Sequence, residues 1–391
     1  MVSIRVAGFS CAVAMLWGCG GSSPDQTHGV GAANAGAPGD EVSASHATSA
    51  KQIASGDSHT CAVMTDGTVR CWGLGSGLPS STTESIPGLG GAVAVTSGTL
   101  HSCALLDDGT VRCWQGNGDE TSPDVSDAQK ITAGNSHTCA LLAGGTVRCW
   151  GDNSAGELIG VKPDDCPSGS YLDCLQDAIT VPGLPAIVDV AAGGTHTCAL
   201  DGMGSVWCWG SDFYGEVTDR KTELCPTGFE DACFTARKPT QVLAISGAIQ
   251  IAAGSKNSCA LMTNGTVRCW GASNGSDPQP GSSTISIDGV SDAVSLSTGD
   301  LNTCVILSNR SVKCWGAIDS NLDGVRNDQL LAALNDVVQI SAGGQHVCAL
   351  SSDGTARGWG LDGQRQIDGM LPSGCTSLED QCFIEVTQIP F

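Results

Sequence analysis

From residue 51 the apolar and polar positions of the chain fall into one frame that keeps returning. The first copy reads Ile53-Ala54-Ser55-Gly56, then His59-Thr60-Cys61-Ala62-Val63, then Asp66-Gly67-Thr68-Val69-Arg70-Cys71-Trp72-Gly73. The frame recurs around Cys103/Cys113/Trp114, Cys139/Cys149/Trp150, Cys198/Cys208/Trp209, Cys259/Cys269/Trp270 and Cys304/Cys314/Trp315, and a seventh copy runs through Cys348 and Trp359. First cysteines of successive copies lie 42, 36, 59, 61, 45 and 44 residues apart. The unit is constant and the connection behind it varies, as in a repeat architecture.

Each unit predicts a β-hairpin. Two β-rich runs flank a turn such as Asp107-Asp108-Gly109, the composition of a type I turn closed by a left-handed glycine. That register sets Cys103 opposite Cys113, Leu105 opposite Val111 and Ala104 opposite Arg112. Counting back from the loop places the cysteines at a non-hydrogen-bonded site, where facing Cα atoms lie roughly 4.5 Å apart and a disulfide fits. Zinc is the competing use of paired cysteines. The nine residues between the two are longer than the short spacing of zinc sites.

The N-terminus bears on which chemistry the thiols meet. Arg5 is the only charge before Asp25, and Val6 to Trp17 is mostly apolar. Such a stretch is too short to cross a bilayer and suits the core of a secretory signal. It ends in Leu16-Trp17-Gly18-Cys19, which resembles a bacterial lipobox, with Trp17 bulkier than the residue usual there. The resemblance implies a signal peptide over 1–18, a lipidated Cys19 and a membrane-anchored lipoprotein, at the outer membrane or cell surface of a bacterium. Residues 19–50 are rich in Gly, Ala and Ser and read as a flexible tether, leaving 51–391 for the repeats. Export favours oxidised sulfur.

The 21 cysteines then divide cleanly. Cys11 leaves with the signal and Cys19 carries lipid. Six hairpins take Cys61-Cys71, Cys103-Cys113, Cys139-Cys149, Cys198-Cys208, Cys259-Cys269 and Cys304-Cys314. Three inserted loops take Cys166-Cys174, Cys225-Cys233 and Cys375-Cys382. Cys348 is left over, because Gly358 stands where its partner would be; the expectation is a buried, inert thiol.

Composition narrows the class further. With 53 Gly and 15% charged residues the chain is no coiled coil, and 41% apolar residues are enough for a core. Eighteen basic against 40 acidic residues give a net charge of −22, which repels phosphate backbones and sets nucleic acid aside as a partner.

The unit resembles the regulator of chromosome condensation repeat. Ala133-Gly134, His137-Thr138-Cys139-Ala140-Leu141 and Gly145-Thr146-Val147-Arg148-Cys149-Trp150-Gly151 carry the likeness, with Asp152-Asn153-Ser154-Ala155-Gly156-Glu157-Leu158 behind them. The resemblance covers about 340 residues and implies an all-β, seven-bladed β-propeller. Paired cysteines stand where that family has apolar or small residues, Asn257 and Asn302 replace the histidine in two copies, and Gln115 replaces a glycine. The strand-like Ile384–Pro390 matches Ala178–Pro182, so the chain begins and ends at one repeat phase.

The recurring His59, His101, His137, His196 and His346 are expected to be structural, since catalysis needs one special group rather than a repeated one. The tryptophans of the frame are expected to pack between blades, and Trp207 lies outside it. Asp319, Asn321 and Asp323 match half of a calcium loop that lacks its closing acid, with Leu330 at that place, so calcium is a weak candidate and no cofactor is expected. The three cysteine-bounded inserts share one slot after the tryptophan and predict acidic knuckles on one rim. No nucleophile elbow, phosphate loop or zinc-protease motif is present. The expected function is a surface-anchored, non-enzymatic scaffold, a monomer held to the membrane only by its lipid. It would bind a protein or polysaccharide through one rim. The alternatives are an inhibitor-like module, as in the family's secreted β-lactamase inhibitor, and a propeller hydrolase or lyase. The family's nucleotide exchange is disfavoured by export.

Overall fold

A computed structural model describes residues 49–74, 85–115, 120–160, 176–218, 236–272, 285–287, 289–300, 302–316, 334, 336–361, 365–367 and 383–389. The signal, tether and Cys19, the pairs Cys166/Cys174, Cys225/Cys233 and Cys375/Cys382, and the Asp319, Asn321 and Asp323 loop lie outside these residues.

Every repeat becomes one antiparallel sheet, and among the described residues there are seven sheets and no helix. The first comprises Ala50–Ser55, His59–Met64 and Val69–Gly73, with Ser85 bridging Arg70. The second comprises Ala92–Ser97, His101–Leu106, Val111–Gln115 and Glu120–Thr121. The third comprises Ala128–Ala133, His137–Leu142, Val147–Gly151 and Gln176–Thr180. The fourth comprises Ile187–Ala192, His196–Asp201, Val206–Ser211 and Ala236–Gln241. The fifth comprises Ala248–Ala253, Asn257–Met262, Val267–Gly271 and Ile285–Ser286. The sixth comprises Ala293–Thr298, Asn302–Leu307 and Val312–Gly316. The seventh comprises Val337–Ala342, His346–Ser351, Ala356–Leu361 and Phe383–Gln388. Each sheet is contiguous in sequence, so neither terminus is lent to the other's blade.

The hairpin register is the one the cysteine spacing predicts: Cys103 faces Cys113, Leu105 faces Val111 and Ala104 faces Arg112. Disulfides join the six facing pairs, with Cα atoms 4.0–4.1 Å apart. Six of the seven tight turns place a glycine at positive φ, for example Gly109 at 80°, and the sixth sheet uses Arg310 at 64°. The turn acid closes the loop by accepting from the residue two further on, as Asp108 Oδ1 does from Thr110 N at 2.9 Å.

Because side chains alternate across a strand, Cys71 and Trp72 point to opposite faces of one sheet. Cys61 and Cys71 pack with Trp114 of the second sheet, whereas Trp72 packs with Cys348, Leu350 and Ile389 of the seventh. Seven apolar clusters result, one between each pair of neighbouring sheets, and the Trp72 cluster closes the ring.

All seven inner strands carry a bulge at one place, between Ala50 and Gln52 in the first sheet and Val337 and Gln339 in the seventh. In five of these strands the residue after the bulge bonds to a neighbouring sheet. Gln52 Oε1 accepts from Val95 N at 2.8 Å while its Nε2 donates to Val95 O at 3.0 Å. Gln250 does the same to Leu296, and Gln339 to Ile53 across the closing interface. Lys130 and Asp189 form an ion pair at the equivalent place between the third and fourth sheets.

Candidate functional site

In an antiparallel blade the turn after the inner strand and the connection after the third strand emerge at the same end of the ring. Leu74 N donating to Ser58 O at 2.9 Å shows the two meeting in the first sheet. The long connections containing residues 161–175, 219–235 and 368–382 therefore leave from the end that carries the Gly56–Ser58 type of turn.

At that end seven glycines form a ring around the axis. A methyl group on Gly56 would lie 2.4 Å from Gly98 O, one on Gly299 2.0 Å from Gly343 O, and one on Gly343 2.3 Å from Gly56 O. The remaining four repeat the pattern, so the backbones meet at distances only glycine permits. They wall an axial cavity of about 70 Å³ whose other lining residues are Gly194, Gly344, Ala, Ser, Thr, Asp57, Asn135 and Asp300. Burial raises Asp57, and it pushes Asp300 up to about 6 with Asp57 adding to the rise and Lys256 opposing it.

The repeated histidines sit between blades. His346 Nε2 lies 2.9 Å from Thr60 Oγ1, and Thr60 donates its proton to Gln366 O. The hydroxyl therefore accepts, and His346 donates from Nε2. His137 acts likewise toward Thr197, which donates to Glu157 O at 3.0 Å. His59 and His196 meet Ser102 and Ser258, and His101 meets Thr138. Burial holds His101 and His196 down at about 4, and His59, His137 and His346 at about 3. The tryptophans complete the same joint: Trp72, Trp209 and Trp270 donate to the carbonyls of Ile367, Glu157 and Glu216. Trp207 lies on a strand, half-buried, and donates to Asp201 Oδ2 at 3.1 Å.

Glu157 and Glu216 occupy equivalent turns of the third and fourth sheets, where the seventh has Gln366. Both carboxyls are buried, which pushes each up to about 8, with Asp152 and Asp212 adding to the rise. Each closes its own turn: Glu216 Oε2 accepts from Tyr214 N at 2.7 Å, and Glu157 Oε2 from Ala155 N at 2.9 Å.

The fourth-sheet turn carries a feature that the sequence reading missed. Asn135, Gly194, Thr195, Ser211, Phe213, Tyr214, Glu216, Ser255 and Lys256 enclose a cavity of about 240 Å³, beside the axial cavity with which it shares Asn135, Gly194 and Ser255. Phe213 and Tyr214 meet edge to face, with ring centroids 4.7 Å apart. Lys256 Nζ stands 4.9 Å from the centre of the Tyr214 ring. Asp212 anchors the turn, accepting from Val217 N and Thr218 N at 3.0 Å, with Arg237 Nε 3.2 Å from its other oxygen.

The ring of seven such blades is a β-propeller, and the comparisons specify its kind. Residues 50–76, 92–114, 128–157, 187–216, 248–276 and 337–366 match the Regulator of chromosome condensation (RCC1) repeat. The chain carries RCC1 repeats and folds as an RCC1-like propeller. Prp20p from Saccharomyces cerevisiae, characterised for binding to Gsp1p and histones, superposes with a TM-score of 0.64 at 18% identity, over 83% of this chain and 86% of that one. Yeast RCC1 (Prp20) with Kap60 gives 0.64 at 17%, over 87% and 85%. The ectodomain of the Physcomitrella patens receptor kinase CR4 gives 0.50 at 22%, over 84% and 77%. The Mus musculus secretion-regulating guanine nucleotide exchange factor is 31% identical over 125 residues, which are 31% of this chain and 24% of that protein. The chain thus spans about a quarter of the length of that relative.

Proposed function

We propose that the chain is an exported, lipid-anchored, non-enzymatic propeller that holds a macromolecular partner on the end of the ring carrying the glycine turns and the long connections. The observation that carries the reading is the set of six buried disulfides, one across each of six hairpins. Such bonds persist in oxidising compartments, in keeping with the lipobox-like Leu16–Cys19. The axial cavity, at about 70 Å³ and walled mainly by glycine and small side chains, has little room for a substrate. Prp20p, on the same fold, was characterised for binding proteins. The reading assigns no cofactor.

The test is fatty-acid labelling of cells making the wild type or Cys19→Ala, combined with capture of surface partners by the oxidised propeller. Label lost in the variant, and capture by wild type that shortening of the 161–175, 219–235 and 368–382 connections weakens, are the expected results. Label retained in the variant overturns the anchor, and capture indifferent to the connections overturns the chosen end. Nucleotide exchange is a second reading, favoured by the named activity of the mouse relative. Release of labelled GDP from a small GTPase on adding the chain would establish it.

A further inference from the structure

A repeat protein supplies its own control, since a side chain that breaks the frame must be explained by something other than the frame. Three departures converge on the cavity of about 240 Å³. The turn that reads Ser154-Ala155 in the third sheet reads Phe213-Tyr214 in the fourth. The position that holds Ser58, Leu100, Ser136, Thr195 and Gln345 in other copies holds Lys256 in the fifth. These residues come from two sheets, yet Lys256 Nζ stands 4.9 Å from the Tyr214 ring. Neither the ring-closing glycines nor the histidine joints need any of the three.

We propose that this cavity binds one acidic sugar residue, of the uronic acid type, from a polysaccharide. The inference deepens the partner-binding reading above and rests on it only for the choice of end. The wall holds the Lys256 ammonium together with the Tyr214, Ser211, Ser255 and Thr195 hydroxyls and the Asn135 amide, all of which can donate. An ionised carboxylate is an acceptor only and complements such a wall. Glu216, the acid among the described lining residues, is buried, which pushes its carboxyl up to about 8 and weakens its repulsion of an anion there. In a chain of net charge −22 Lys256 is a local cation, with Asp300 and Glu216 within its electrostatic reach, and it selects by contact rather than by steering. The aromatic pair lines the cavity beside the cation and supplies apolar surface that the C–H groups of a sugar ring can pack against and a short acidic side chain leaves bare. The volume is below the range for drug-sized ligands and suits a single ring.

Calorimetric titration of the purified, oxidised full chain tests this with four probes: tetragalacturonate, its methyl ester, a neutral tetraglucan and tetraglutamate. Two variants accompany the wild type, Lys256→Gln and the double variant Phe213→Ser/Tyr214→Ala. The double variant restores the residues of the third-sheet turn, and thermal melting checks that both fold. Tetragalacturonate is expected to bind the wild type, and methylation or either variant should weaken it at least tenfold. Binding equal in wild type and variants, or absent, overturns the site. Tetraglutamate binding that needs Lys256 and ignores the aromatic pair overturns the sugar in favour of an acidic peptide. Capture of a surface partner that survives either result leaves the broader reading standing, so the two can fail separately.

Discussion

In the first six sheets two cysteines face each other across the second and third strands. In the seventh, Cys348 faces Gly358 and remains a buried thiol. The volume is not empty. A Cβ on Gly358 would lie 2.5 Å from Cγ2 of Ile367 and 3.5 Å from the Cys348 sulfur. The equivalent Leu158 and Val217 share their clusters with Cys149 and Cys208, so apolar residue and disulfide coexist there. Across the closing interface the seventh sheet keeps the bonds that its disulfide-bearing neighbours also make. Gln339 brackets Ile53, Ser55 N donates to Ser341 Oγ at 2.8 Å, and Trp72 donates to Ile367 O at 2.9 Å. The contrast separates two jobs: sulfur holds each hairpin to itself, while hydrogen bonds and the apolar clusters hold blade to blade.

Reduction breaks the comparison most severely. Each bond closes a loop spanning a sequence separation of 10, and on the chain-entropy model such a staple stabilises by about 2–3 kcal/mol. Losing six at once should lower the melting midpoint by on the order of 20 °C. Scanning calorimetry with and without reductant measures this, and a reduced form melting within a few degrees of the oxidised one sinks the idea. Cys348, fully buried, should react with an alkylating agent only as the chain unfolds.

A second contrast is electrostatic, since the buried turn acid is Glu157 and Glu216 in two sheets and Gln366 in the seventh. Burial raises the two folded carboxyls from 4.5 to about 8. Their contribution is therefore full below the unfolded value and is lost as pH rises toward 8. The five buried histidines run the other way: lowered from 6.5 to about 3–4, they destabilise as pH falls below 6.5. Five bases outweigh two acids below 6.5 and the acids act alone above it, so stability should peak near pH 6.5. Replacing Glu157 and Glu216 by Gln, the residue that position 366 already holds, should flatten the alkaline limb, each adding on the order of 2–4 kcal/mol at pH 9. Denaturant titrations across pH 5–9 check it, and an unchanged limb in the double variant removes these groups as its cause.

What could be read from the sequence was local. Cysteine register and the turn glycine follow from spacing within eleven residues of chain, where alternation leaves one answer. The bulges and the glutamine girdle were not legible, because Gln339 and Ile53 lie 286 residues apart and a glutamine carries no signal of its partner. The histidines and tryptophans were legible as recurring positions of the frame, but the joint they complete was not: His346, His137 and His196 meet the hydroxyls of Thr60, Thr197 and Ser258, which donate in turn to the carbonyls of Gln366, Glu157 and Glu216. The cavity at Phe213, Tyr214 and Lys256 did leave a trace. Aligning the fourth copy on the third shows Phe213-Tyr214 over Ser154-Ala155, and a count of such mismatches would have found it.

The smallest expected effect also sharpens the comparison most. Gly358→Cys offers the seventh sheet its missing staple at the same register as the other six. The new side chain meets Ile367, which is fully buried and held by its carbonyl to Trp72, so it cannot swing aside freely. Overpacking of this kind costs about 1–3 kcal/mol, close to the gain of about 2–3 kcal/mol from the bond. The variant should therefore form the disulfide incompletely and melt within about 5 °C of wild type. Trimming Ile367→Ala in the same chain removes the obstructing γ-carbon and should carry bond formation to completion, read by mass spectrometry after alkylation in denaturant. A single variant that crosslinks fully and melts well above wild type would show that Ile367 does not bar the bond, and the seventh sheet's exception would need another cause.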